Sequence, residues 1–339
     1  MDAMTAALRF DEAASNLGSI SGCFRLPVSV RSRAQEIRLR VGKPVALSLP
    51  EGVCFLSRRG ETAARPVGDM LCPTRAQMEE AFRILCDCSV HSHQREIRSG
   101  FLTLRGGHRA GLSGTAVQDD AGNILNLREI SSVNLRVARD IEGAADPVAA
   151  ALFRGGQAAG TLLFGPPGCG KTTVLRDLAR QLSSGRMGRY YRVAVVDERG
   201  ELAASFGGVP QNDLGPCCDI LDGYPKGEGI LQAVRCLSPD VVLCDEIGGE
   251  EDACAVEQSL NAGVAVVASA HAGSLEELAA RPQIRRLLRS GAFEHAARLA
   301  GRERPGVVAA VYGSEQLRRA AGTAVWETER AESLVLRQS

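Results

Sequence analysis

The chain has 339 residues, 45% hydrophobic and 24% charged, enough length for two domains and an ordinary make-up for packed, water-surrounded cores. Lys plus Arg and Asp plus Glu both total 40, so the formal net charge is zero, which speaks against a chain built around a polyanion, because non-specific nucleic-acid affinity comes mostly from excess positive charge. No run of about 18 apolar residues is present to span a bilayer, the acidic start MDAMTAALRFDEAA lacks the form of a secretory signal, and the eleven Cys lie among apolar neighbours, as expected of small buried hydrophobes in a reducing cytoplasm.

In chain order, Glu36–Val41, Val45–Leu49 and Val53–Leu56 are short β-rich runs separated by Gly42-Lys43-Pro44 and Pro50-Glu51-Gly52 turns. Thr74 and Gln77 stand at capping-box spacing, and Met78, Phe82 and Leu85 share one face, which predicts a helix. Phe101–Arg105, Arg109–Val117, Ile124–Arg128 and Val133–Ala138 are expected as further strands, with a Gly106-Gly107 turn between the first two. Together these elements describe an α+β domain over residues 1–145. After Asp146-Pro147 the pattern changes. Apolar strands Thr161–Phe164, Val193–Val196, Val241–Cys244, Val264–Ala268 and Val307–Val311 alternate with amphipathic helices, the pattern of a parallel sheet covered on both faces. An α/β domain over residues 146–315 and a C-terminal tail over 316–339 complete the expected organisation.

The segment Gly165-Pro166-Pro167-Gly168-Cys169-Gly170-Lys171-Thr172 is a full G-x-x-x-x-G-K-T. Apolar Leu162-Leu163-Phe164 precedes it, and a helix with Leu175, Leu178, Ala179 and Leu182 on one face follows. Glycines let such a loop fold around a phosphate with its N–H groups inward, and the helix N-terminus adds partial positive charge. ATP is therefore expected at Gly165–Thr173, with Lys171 on the β- and γ-phosphates and the Thr172 hydroxyl on Mg²⁺.

The run Pro239-Asp240-Val241-Val242-Leu243-Cys244-Asp245-Glu246 ends in two carboxylates at the edge where open α/β sheets bind ligands. Asp245 suits the Mg²⁺ water shell, and Glu246 suits polarising the attacking water. The acids of Val195-Val196-Asp197-Glu198-Arg199-Gly200-Glu201 either stand near that chemistry or cap a helix. In Ser269-Ala270-His271-Ala272-Gly273-Ser274, His271 is placed to sense the γ-phosphate, while Ser274 and Glu277 have capping spacing.

This order of P-loop, acidic box, second acidic strand and His-containing strand end resembles the secretion ATPases of type II and type IV systems. The resemblance places Asp197 and Glu198 at the acidic box, Glu246 at the catalytic Glu and His271 at the His box. A closer likeness, over about Glu36 to Glu294, is to the stage III sporulation protein AA family. It is carried by Glu36-Ile37-Arg38-Leu39-Arg40, Ser89-Val90-His91-Ser92-His93-Gln94, Gly106-Gly107-His108-Arg109-Ala110-Gly111, Ser131-Ser132-Val133-Asn134-Leu135-Arg136 and Asp219-Ile220-Leu221-Asp222-Gly223-Tyr224-Pro225-Lys226. What it implies is a RecA-like P-loop ATPase domain preceded by an α+β domain, a homo-hexamer, and a cytoplasmic motor that energises a secretion-like channel through a membrane-protein partner. It also implies N-terminal arginines that act on the nucleotide, with Arg109 and Arg136 as candidates, and an interdomain hinge near Glu142–Pro147. Where the family pattern leads one to expect a basic residue after Ile247-Gly248, this chain has Gly249-Glu250-Glu251.

Cys86, Cys88, His91 and His93 are ligand types, but C-x-C beside H-x-H is not a zinc spacing. A nucleic-acid-dependent ATPase such as a helicase loader uses the same core, and Arg281, Arg285, Arg286 and Arg289 keep that reading open. Only 4% of residues are aromatic, which weighs against single-strand binding by stacking. A nucleotide-dependent switch that barely hydrolyses ATP is a third reading, against which Glu246 argues.

Overall fold

The computed structural model describes residues 2–322 except Asn123, Asp140 and 153–157. The chain divides into two compact units, one of residues 1–140 with 204–211, the other of residues 141–203 with 212 onward.

In the first unit, α1 (Ala3–Ser15) and the short α2 (Val28–Arg31) precede β1 (Glu36–Arg40), β2 (Lys43–Leu49), β3 (Gly52–Leu56) and β4 (Thr62–Ala63). After them come α3 (Arg75–Leu85), α4 (Gln94–Arg98), β5 (Phe101–Thr103), β6 (Arg109–Gln118) and β7 (Ile124–Arg136). The seven strands form one antiparallel sheet in the order β4-β3-β2-β1-β7-β6-β5. Strand β1 shows why: Ile37 and Leu39 alternate into the core while Glu36, Arg38 and Arg40 face outward, the period-two burial of a one-sided sheet. The Thr74–Gln77 capping box is made, at 3.2 and 2.9 Å, and α3 buries Met78, Ala81 and Leu85.

Two expectations change here. The runs at Ile124 and Val133 are one strand, β7, because β6 pairs with it on both sides of a bulge at Glu129-Ile130, with Thr115 opposite Arg128 and Ser113 opposite Ser132. Helix α1 was not foreseen; its Asp2 cap accepts the Thr5 N–H at 2.7 Å and it buries Ala6, Ala7, Phe10, Ala13 and Ala14. Residues 204–211 pack within this unit. The Phe206 ring stacks on His93 with centroids 6.5 Å apart, the Arg105 guanidinium lies 5.5 Å above it, and Gln211 accepts the Gly106 N–H at 2.8 Å.

The second unit contains α5 (Asp146–Leu152), β8 (Thr161–Gly165), α6 (Lys171–Ser183), β9 (Val193–Asp197), β10 (Cys218–Asp222) and α7 (Lys226–Cys236). It continues with β11 (Val241–Cys244), α8 (Glu250–Asn261), β12 (Ala265–His271), α9 (Leu275–Ala280), α10 (Pro282–Ser290), β13 (His295–Leu299) and β14 (Val308–Gly313). Its sheet runs β10-β9-β11-β12-β8-β13-β14, parallel throughout except for the last pair. Strands β8, β9 and β11 are buried at every residue. Leu163, Val195 and Leu243 meet Leu175, Leu178 and Leu182 of α6 on one face. Phe164, Val196 and Val242 meet Ile230, Val256, Leu278 and Leu287 on the other.

The run at Val307, expected as one more parallel strand, is the antiparallel edge strand β14. It alternates between half-buried and exposed, as an edge covered on one side does. Strands β10 and β13 were not anticipated. Residues 314–322 are helical and bury Leu317 and Ala321; the rest of the expected tail lies outside the described residues. The Glu142–Pro147 segment, expected as a hinge, is bonded to α6: Asp177 accepts the Ala145 N–H at 2.8 Å, and Gln181 donates to Asp146 at 2.7 Å. Among the described residues no helix is long and apolar enough to cross a membrane.

Candidate functional site

The parallel order brings the C-terminal ends of β9, β11, β12 and β8 side by side. The turn after β8 takes its shape from Gly168 and Gly170, at φ +78° and +91°, a region that L side chains enter at a cost of roughly 1–2 kcal/mol. Gly170 caps α6, so the helix begins at Lys171 with its free N–H groups facing the turn. The Lys171 ammonium, 6% exposed, donates to the carbonyls of Gly165 and Pro166 at 3.1 and 3.3 Å and to His271 Nδ1 at 2.9 Å. Its three protons are therefore all placed.

His271 closes β12 opposite Gly165 of β8. With Nδ1 accepting from Lys171, the hydrogen of the neutral ring sits on Nε2, which faces Glu246 Oε1 at 3.1 Å. Glu246 Oε2 accepts from Arg199 Nη1 at 3.0 Å. A continuous path thus runs from the P-loop lysine through His271 to Glu246 and on to Arg199. The outer pair is largely exposed, so it contributes little to stability.

Beside this path, the Thr172 hydroxyl donates to Asp245 Oδ2 at 2.8 Å. Ser269, fully buried on β12, donates from its hydroxyl to Asp245 Oδ1 and accepts the Glu246 N–H at 3.0 Å. Its carbonyl accepts the Ile247 N–H at 2.9 Å. Two oxygens, a hydroxyl and a carboxylate, so meet at the foot of the phosphate turn, the hard donor set that suits Mg²⁺. Among the described residues no cluster of three or more His, Cys, Asp or Glu side chains is placed to hold a metal ion by itself. Around Cys86 and Cys88, His93 instead donates from Nδ1 to Glu96 at 2.7 Å, and burial pushes the Cys86 thiol up to about 11.

The acidic box splits between two tasks. Asp197, 2% exposed, accepts the N–H groups of Glu201, Leu202 and Ala203 at 2.8, 3.0 and 2.7 Å, so it anchors the following loop. Glu198 pairs with Lys226 at 3.3 Å. A cavity of about 20 Å³ opens between Val196, Glu198, Lys226, Asp245 and Glu246. In the first unit, Arg109 lies 3.6 Å above the Phe101 ring and Arg136 pairs with Glu36 at 3.4 Å. Of the helix α10 arginines, Arg286 is engaged by Glu250 and Glu257. Glu250, Glu251 and Asp252 occupy the first turn of α8, where negative charge complements the helix dipole; this gives the acidic run after Gly249 a local use.

Sequence reasoning passed over four contributors: Ser269, Arg199, Lys226 and the loop between β13 and β14. That loop fastens the phosphate turn from outside. Arg302 Nε donates to the Pro167 carbonyl at 2.9 Å and the Gly306 N–H to the Cys169 carbonyl at 2.8 Å. A Cβ at Gly168 would stand 2.9 Å from Arg302 Nε, and one at Gly170 would stand 2.7 Å from Gly306 N. Two carbonyls of the turn are thus held outward, while its Cys169 N–H donates to the Pro166 carbonyl at 3.3 Å; a turn of this kind presents its remaining N–H groups to a phosphate. Only the turn formers in Gly301-Arg302-Glu303-Arg304-Pro305-Gly306 signalled it.

A family model described as sporulation stage III, protein AA, matches residues 23–319. Stage III sporulation protein AA of Bacillus subtilis (strain 168) is 37% identical over 282 residues, covering 83% of this chain and 87% of that protein. An uncharacterized ycf45 protein of Porphyra purpurea is 31% identical over 190 residues, 54% of this chain and 31% of its own length. Among solved structures, the ATPase DotB of Yersinia pseudotuberculosis superposes with a TM-score of 0.54 at 14% identity, covering 88% of this chain and 82% of its own. The pilus retraction motor PilT, solved with bound ADP, superposes with a TM-score of 0.53 at 16% identity, over 86% of this chain and 77% of its own. At such identities the likeness establishes the fold, RecA-like with a P-loop, and nothing finer.

Proposed function

The chain belongs to the sporulation stage III protein AA family, and from that premise we propose that it binds ATP with Mg²⁺ at Gly165–Thr173 and hydrolyses it as the motor of a secretion-like channel complex. The observation that carries the reading is the convergence of four strand ends, where His271 stands between Lys171, hydrogen-bonded to it at 2.9 Å, and the Glu246 carboxylate at 3.1 Å, beside the Thr172–Asp245 hydrogen bond.

Each residue then has a task. The turn N–H groups and the α6 N-terminus hold the β-phosphate. Lys171 exchanges its His271 contact for the β- and γ-phosphate oxygens. Thr172 and Asp245 are the residues that would hold Mg²⁺, which supplies charge neutralisation on the phosphates. Glu246 orients the attacking water and accepts its proton, as a carboxylate within one hydrogen bond of the water can. His271, hydrogen-bonded to Lys171 and 3.1 Å from the Glu246 carboxylate, reports the arrival of the γ-phosphate to the base. PilT holds ADP in its solved form, and the same class of nucleotide is proposed here.

A motor of this kind works as a closed ring, and a homo-hexamer with a membrane-protein partner is the assembly we propose, with a head-to-tail interface whose rotation closes. The test is the native mass of Glu246→Gln with Mg²⁺-ATP and without nucleotide. The proposal expects a nucleotide-dependent shift to a ring of six. A chain that stays monomeric in both conditions, even with its membrane partner added, would overturn the motor reading.

A further inference from the structure

Among the described residues, Glu246 is one of six non-glycine residues with positive φ, at +48°. Its backbone is strained and persists only where the surroundings hold it. Two groups do so. The Glu246 N–H is taken by Ser269, and its carbonyl is taken by Lys226 Nζ at 2.8 Å. The same ammonium pairs with Glu198 at 3.3 Å, and the Lys226 side chain is only 11% exposed.

The start of α7 is shaped to seat this lysine. Gly227 and Gly229 stand in its opening turns, where glycine weakens a helix. Both are close-approach positions. A Cβ at Gly227 would lie 3.0 Å from the Glu251 carbonyl oxygen, and one at Gly229 would lie 2.5 Å from Val196 Cγ1. The helix thus sacrifices local stability to lie against β9 and α8, which brings Lys226 to the tips of β9 and β11.

We propose that Lys226 is a positioning residue of the hydrolytic site: by bridging the Glu246 carbonyl and the Glu198 carboxylate, it holds the left-handed backbone that aims the Glu246 side chain at its water. The inference rests on the reading of Glu246 as the base. Lys226 touches neither phosphate nor water in this role; it acts through Glu246. Losing it leaves the Glu246 carbonyl without its donor and Glu198 without its cation, so the carboxylate loses aim while the phosphate turn is untouched.

The test compares wild type, Lys226→Met, Lys226→Arg and Glu246→Gln in steady-state ATP hydrolysis and in fluorescent-ATP binding. Lys226→Met is expected to lower kcat about 10- to 100-fold, in line with the loss of an outer residue that orients a reacting group, and to leave ATP affinity within about 3-fold. Lys226→Arg, which keeps the cation, is expected to recover part of kcat. If Lys226→Met does not fold, Gly229→Ala serves instead, since its Cβ displaces the start of α7; the same split between kcat and affinity is expected. A kcat within 2-fold of wild type, or parallel loss of kcat and affinity in both variants, would overturn the proposal. If wild type hydrolyses ATP no faster than Glu246→Gln, the ATPase reading itself has failed, and this one with it.

Discussion

Replacing Ser269 by alanine removes one hydroxyl that serves two site residues at once. It donates to Asp245 Oδ1 and accepts the Glu246 N–H at 3.0 Å, and the residue is fully buried, so water does not replace it easily. Each lost hydrogen bond is worth about 1 kcal/mol, and the two together about 2 kcal/mol, or about 30-fold in an equilibrium or a rate. Outer partners of metal ligands give the same scale, about 10- to 100-fold. The cavity left is one oxygen wide, so the fold should survive. The assay is ATP turnover as a function of Mg²⁺ at saturating ATP, beside nucleotide binding in EDTA. Ser269→Ala should raise the half-saturating Mg²⁺ concentration or lower kcat by about 30-fold in total, with metal-free binding unchanged. A folded variant with both quantities unaltered would refute the idea that Ser269 orients Asp245 and Glu246.

Lys171→Ala should abolish tight ATP binding in an equilibrium titration, because its ammonium is the buried cation of the phosphate turn; binding within about 3-fold of wild type would contradict that role. Arg302→Ala removes one donor from the Pro167 carbonyl at an exposed site, worth about 1 kcal/mol, so fluorescent-nucleotide affinity should fall about 5-fold; unchanged affinity would show that the β13–β14 loop merely lies nearby. His108 is buried and accepts the Ala138 N–H at 3.0 Å. Burial outweighs the pull of Glu12 and holds its pKa below the ordinary 6.5, so below that pH the unfolded chain takes up a proton that the folded one resists. Stability should therefore fall as pH drops from about 6.5, and urea titrations of His108→Asn should lose that component; an identical pH slope in both proteins would contradict it.

How much of this could be read from the sequence depends on whether a contact is made by a local pattern or by distant backbone. The phosphate turn was legible because its glycines, lysine and threonine form a contiguous motif between an apolar strand and an amphipathic helix. Strand β11 was legible because four apolar residues lead into two acids, and α3 because both halves of its capping box stand in one stretch. Lys226 was not, since its partner is the carbonyl of a residue twenty positions away and no side-chain pattern marks such a bond. Ser269 and the β13–β14 loop escaped for the same reason: their partners include the Glu246 N–H and the Pro167 and Cys169 carbonyls. Val307–Val311 read as one more parallel strand because a short apolar run carries no direction; β14 runs antiparallel at the sheet edge. The cysteines were only partly legible. Cys86, Cys169 and Cys244 are buried, but Cys88 and Cys236 are exposed.

The central claim is that Glu246 acts on the water while the phosphate turn binds the nucleotide. Single-turnover phosphate release from pre-bound Mg²⁺-ATP, in wild type and in Glu246→Gln carrying equal amounts of nucleotide, tests it most directly. The account predicts release at least about 100-fold slower in the variant, the scale of a general base. Equal release rates from the two proteins would contradict it.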